Sequence, residues 1–200
     1  MRKDRLDAQG AAALTAVVAL FAFNQVVIVW VNEGLQPVFF AGLRSALATG
    51  FVLLWLWLRG IPLRHEKGTA GLGLLMGAIF AAEFLCLFVA LDLTTVSRAG
   101  VIFYTMPVWL AIMAHFGIPG ERLTPARLAG LALAFAGTAL AILDRGGAGQ
   151  GSLAGDLCAL GAALCWAGTA YIAKGTAMRA VRPETQLLWM VAVSAPLLIL

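Results

Sequence analysis

Four polar side chains lie well inside long apolar runs, where such groups are costly: Asn24, Arg44, Glu83 and Tyr104. An α-helix rises about 1.5 Å per residue, so counting from the outer end of each run puts all four roughly 10–12 Å below the outer surface of a hydrocarbon core. Glu83 offers a carboxylate that takes up a proton or an ammonium group, and Arg44 a permanent cation that pairs with it. Asn24, its neighbour Gln25 and Tyr104 add neutral hydrogen-bonding groups. This set suits reversible binding rather than bond making. Ionisable groups inside a membrane are paired, functional or both. Two readings of Glu83 and Arg44 therefore stand side by side. One is a structural ion pair joining two neighbouring spans. The other is a Glu83 that faces a cavity and holds a substrate amine or a proton. They are compatible if the pair changes partners during a working cycle.

Further residues extend the candidate cavity. Trp109, Trp166 and Tyr171 join Tyr104 as an aromatic wall, although a packed core is the more ordinary place for each of them. Asn24 and Gln25 serve either as interhelical hydrogen-bond partners or as cavity lining. An internal repeat with an offset of about 144 residues sets Gln25 opposite Thr169, which favours a shared face. Pro107, near the middle of its run, removes an amide bond to the carbonyl of Phe103 and should kink the helix there, as gates often require. Gly73 and Gly77 with Ala81 form a small-residue face for close helix packing. His115 lies near the end of its run and is expected to be wetted and inert. Cys86, Cys158 and Cys165 fall inside spans with no metal or disulfide spacing. The sequence holds no phosphate-binding loop, no zinc-protease pattern and no Ser/His/Asp set within the spans, so it implies no cofactor, no metal and no enzyme.

The elements that must position these residues are membrane helices. With 62% hydrophobic and 12% charged residues, the chain is too apolar to hide its surface in one soluble core. Continuous rather than alternating apolar runs argue against a transmembrane barrel. The first run is too long for a signal peptide and lacks a clear cleavage site, so it is expected to be a retained helix. The fold class is thus an all-α polytopic membrane protein. Seven spans are expected: Ala11–Val31, Gln36–Leu58, Thr69–Leu91, Val96–Ile118, Ala126–Leu143, Leu153–Ala173, and one from Glu184 to the end. Thr124 and Pro125 read as an N-cap followed by proline at the first helical position.

Basic residues set the expected orientation. Arg2, Lys3, Arg5, Arg59, Arg64, Lys67, Arg122, Arg127, Lys174, Arg179 and Arg182 fall on one side of the membrane, and only Arg98 and Arg145 on the other. The positive-inside rule makes the first side, with the N-terminus, cytoplasmic. The net charge of +4 is explained by this topology and is no nucleic-acid footprint. The repeat matches Gly10–Asn24 with Gly155–Gly168. One unit (residues 1–146) holds five spans, an odd number, so the second (147–200) must run through the membrane upside down. Inverted repeats of this kind mark transporters with a site near the midplane. The sequence stops at Leu200 within an apolar run, so three or so further spans, or another chain, are expected to complete the second unit.

The segments Thr94-Thr-Val-Ser-Arg-Ala-Gly, Tyr104-Thr-Met-Pro107-Val-Trp, Gly120-Glu-Arg-Leu and Gly130 to Gly137 resemble the fourth and fifth helices of the drug/metabolite transporter superfamily, in its ten-helix EamA-type branch. Gln36-Pro37 to Arg44 resembles its second helix, and Gly151-Ser-Leu-Ala-Gly-Asp with Ala162 to Ala167 the start of its second repeat. The resemblance covers essentially the whole chain. It implies alternating access and, as in many bacterial members, export of amino acids or similar small metabolites across the inner membrane. Sugar or nucleotide-sugar transport is the alternative within the class. An integral membrane enzyme or a non-transporting scaffold is the alternative outside it. The expected partners are a small-molecule substrate and the lipid bilayer, with no nucleic acid, and the expected state is a monomer.

Overall fold

The computed structural model describes residues 10–12, 15–16, 19–20, 23, 36–62, 68–143 and 152–200. Among these residues there are helices and no strand. The helices are α1 (Pro37–Leu58), α2 (Ala70–Leu93), α3 (Val96–Phe103), α4 (Met106–Gly117), α5 (Pro125–Leu143), α6 (Leu153–Gly175) and α7 (Pro183–Ile199), with a 3₁₀ turn at Ala177–Ala180 before α7. Proline opens α1, α5 and α7 at the first position and stands second in α4. There its missing N–H has no intrahelical partner to lose. The expected cap at Thr124 forms: its hydroxyl accepts the amide of Arg127 at 3.3 Å.

Pro37–Leu58, Ala70–Leu93, Arg98–Gly117 and Leu153–Gly175 are long and apolar enough to cross a membrane. Pro125–Gly137 and Pro183–Ile199 are shorter apolar stretches. The chain is therefore a polytopic helical membrane protein. The expected span Ala11–Val31, with Asn24 and Gln25, lies largely outside the described residues.

One element differs in form from the expectation. Val96–Ile118 is not a single kinked helix but two, α3 and α4, broken at Tyr104 and Thr105. The break comes just before Pro107, whose ring disfavours a continuous helix in the preceding turn. The Thr105 hydroxyl donates to the carbonyl of Ile102 at 2.6 Å and accepts the indole N–H of Trp109 at 3.0 Å. These side-chain bonds stabilise the turn where helical bonding is lost.

The helices are apolar nearly all round, so small residues, rather than hydrophobicity, decide which faces meet. α2 is central. Its Gly73 and Gly77 meet Trp189 and Val193 of α7, and Ala81 meets Leu198, so α2 and α7 run parallel. A Cβ added at Gly77 would lie 2.4 Å from Val193 Cβ. The face formed by Gly73, Gly77 and Ala81 thus packs closely, as expected. On its other side α2 meets α6 in antiparallel fashion: Thr94 lies by Gly155, Cys86 by Gly161 and Ile79 by Gly168. α1 runs antiparallel to α7, with Gly42 against Ile199 and Phe51 and Trp55 sharing a surface groove with Glu184 and Leu187. Large apolar residues such as Phe51, Trp57, Phe116 and Leu133 point outward, the surface a bilayer covers.

Candidate functional site

Glu83 stands thirteen residues into the 24-residue α2, close to the middle of the span. It faces the protein interior, with only 6% of its surface exposed, and its Oε2 is fully buried with no hydrogen-bond partner. Such an orphan atom is rare in a folded protein and calls for a proton, an ion, a water or a ligand. The side chain sits where α2 meets α1 and α6. It is near enough to Arg44 and to Cys165 to interact electrostatically. It does not, however, form the expected ion pair. The Arg44 guanidinium lies over the ring of Phe84, 4.7 Å from its centroid, so the cation rests on the aromatic face beside the carboxylate rather than against it. Among the described residues the ion pairs are Arg98–Asp156 and Arg127–Glu121.

An open cavity of about 860 Å³ lies between α4, α6 and the start of α7. Pro107, Leu110, Ala111 and Ala114 form one wall, and Trp166, Ala173 and Lys174 the other. Arg179, Gln186 and the link from Ile118 to Glu121 surround its mouth. The charge count leads one to expect this to be the inner end of the bundle, and the two ends are called inner and outer on that expectation.

The proposed aromatic wall is distributed differently. Trp166 and Pro107 line this cavity. Trp109 is turned to the helix break, where it bonds Thr105. Tyr104 is half exposed at the same break. Tyr171 packs its ring against Gly117 and Gly175, joining α4 to α6. Thr169 is buried and donates to the carbonyl of Cys165 at 3.1 Å. Glu83 is not part of this cavity's lining. Glu83 and Tyr104, expected at equal depth, differ in environment: Glu83 is buried and Tyr104 half exposed. Depth fixes position along a helix but not the direction a side chain takes around it. Asn24 and Gln25 lie outside the described residues. His115 is not inert: its Nδ1 accepts the amide of Leu123 at 3.1 Å and folds the link between α4 and α5.

The opposite end of α6 is closed by a polar cluster that the sequence did not single out. Asp156 accepts from Thr94 Oγ1 at 3.1 Å and from Arg98 Nε at 3.2 Å, and pairs with Arg98 Nη2 as well. Ser152 caps α6 by accepting the amide of Gly155 at 3.1 Å, while its own amide donates to the carbonyl of Leu93 at 3.2 Å. Gly155 rests directly on the backbone of Leu93 and Thr94, and a Cβ there would lie 2.8 Å from Thr94 Cβ. The available signals were Arg98, an isolated outer cation, and the Ser152-to-Asp156 helix start. Lys174 and Arg179 were likewise visible only as topology charges.

Compared with known proteins, residues 8–143 match the model of the EamA-like transporter family. No curated protein and no solved structure matches the chain.

Proposed function

This chain belongs to the EamA-like transporter family, part of the drug/metabolite transporter superfamily, and from that premise we propose that it is a secondary-active transporter working by alternating access. Membership makes it a multi-pass membrane transporter, in keeping with a non-enzymatic role. The finer reading is ours. The cargo is an amino acid or related small metabolite, exported across the inner membrane with the N-terminus in the cytoplasm. Residues 1–146 and 147–200 belong to inverted units. The antiparallel packing of α1 on α7, the second expected span of each unit, supports that pairing.

The observation that carries the mechanism is Glu83. A buried carboxyl oxygen without a partner, at mid-span and beside a cation that is not bonded to it, is poised to exchange a proton or a substrate amine. The Arg44 guanidinium rests on the Phe84 ring and leaves the carboxylate unoccupied. The interfaces around Glu83 are those of α1 and α6, the elements that must shift if the site is to face alternate sides. Asn24, Gln25 and Thr169 remain proposed site residues, Trp166 belongs to the cavity between α4 and α6, and Tyr104, Trp109 and Tyr171 lie at helix joints.

The test is counterflow of labelled amino acids in liposomes holding the full chain. Glu83→Gln should abolish flux while the melting curve stays close to wild type. A purely structural carboxylate gives a different pattern: Glu83→Gln loses stability, and Arg44→Gln added to it restores much of the loss. Normal stability with unchanged flux in Glu83→Gln would overturn the reading.

A further inference from the structure

We propose that the inner cavity recognises a small organic anion, with Lys174 and Arg179 holding its carboxylate and Trp166 and the α4 wall receiving its apolar body. The inference rests on the transporter reading and adds a substrate class to it. The cavity's size, about 860 Å³, falls within the range of small-molecule sites. Its deep walls, formed by Pro107, Leu110 and Trp166, carry no charge. The charges gather at the mouth, and they are unequal. Glu121, the acidic residue there, already has Arg127 at 3.6 Å. Among the described residues, Lys174 and Arg179 form no ion pair. The mouth thus presents two cations facing one carboxylate that has its own partner.

Arg179 is also held in place rather than carried on a loose loop. The Gln186 amide donates to the carbonyls of Met178, at 2.7 Å, and Val181, at 3.1 Å, clasping the turn on both sides of Arg179. The Thr176 hydroxyl accepts the Met178 amide at 3.2 Å. The Met178 side chain, 0% exposed, anchors the turn in the core. Lys174 follows Trp166 by eight residues on α6, about 12 Å along the axis. That separation suits a solute with an aromatic or branched apolar end and a carboxylate several bonds away. An anionic lipid headgroup carries similar charge. The cavity's apolar depth between helices favours a soluble solute with a compact body.

Binding to the purified full chain in a neutral detergent tests this with three matched probes: phenylbutyrate, phenylbutyramide and phenylbutylamine. Phenylbutyrate should bind about tenfold or more tighter than the amide, the effect of one charge-assisted contact, and the amine should bind weakest. Lys174→Gln with Arg179→Gln should erase the preference while leaving amide binding and the melting curve unchanged. Equal binding of phenylbutyrate and the amide, or no binding of either, overturns the proposal. So does a dependence on the two cations that appears with phosphatidylglycerol vesicles and not with phenylbutyrate. Carboxylate preference in a protein without any flux would leave this site standing and overturn the transport reading. Flux that depends on Glu83 without carboxylate preference would do the reverse.

Discussion

At its outer end α6 meets the corner between α2 and α3 through Asp156, Thr94, Arg98 and Ser152, whose polar atoms bond one another. At its inner end the same helix borders an open cavity, where Lys174 and Arg179 face solvent-sized space. The outer junction has backbone against backbone at Gly155. The inner end joins α6 to α4 through Tyr171 on Gly117 and Gly175, but leaves a gap bordered by long side chains beside it. One helix thus carries a closed end and an open end. Under the proposed alternating access, the open end would give access and the bonded junction would be the part that opens, since a few polar contacts can be broken and remade.

Two glycines should separate the ends most clearly. Gly155→Leu should cost about 1–3 kcal/mol, because the new side chain must displace the Leu93–Thr94 backbone. Gly71, at the opposite end of the bundle, has nothing within 4 Å of an added Cβ, and Gly71→Leu should change stability by no more than about 0.5 kcal/mol. Thermal unfolding in detergent measures both. Equal losses would mean that Gly155 is no more closely packed than Gly71.

A smaller effect is expected from charge. Asp156→Asn keeps the shape but weakens the bonds from Arg98, and should lower the melting temperature modestly. Arg98 is 46% exposed, so the difference from wild type should shrink in roughly 1 M salt. A salt-independent difference would point to packing rather than charge. The smallest effect belongs to the inner end. Lys174→Gln and Arg179→Gln should leave the melting curve unchanged, since both residues are exposed and unpaired among the described residues.

The sequence made the membrane class and most helix limits legible because a span has a length requirement that composition reveals directly. Pro37, Pro125 and Pro183 marked helix starts for a local reason, the missing N–H. The break before Pro107 was legible as a kink, but its resolution into two helices depends on Thr105 and Trp109, a pairing four residues apart that no hydropathy pattern contains. Glu83 was legible as an expensive charge in an apolar run. Its lack of an Arg44 contact was not, because that depends on a choice between a carboxylate and the ring of Phe84, decided by helix rotation. The Asp156 cluster and the Lys174–Arg179 mouth were hidden for a similar reason. Asp156 meets residues about sixty positions earlier, and Lys174 and Arg179 border a cavity only once α4 packs beside them; in isolation each charge looks like an ordinary marker of topology.

In the proposed transport cycle the outer junction opens, and a disulfide across it is the decisive check. The Ser152 amide donates to the Leu93 carbonyl at 3.2 Å, a contact that brings the two Cα atoms near the ~4.4–6.8 Å range a disulfide spans. Leu93→Cys with Ser152→Cys, in a transporting background with Cys86, Cys158 and Cys165 replaced by alanine, should counterflow normally when reduced. Oxidation should stop flux and a reductant should restore it, with neither single variant affected. Full flux through a protein whose disulfide is shown to be formed would contradict the claim.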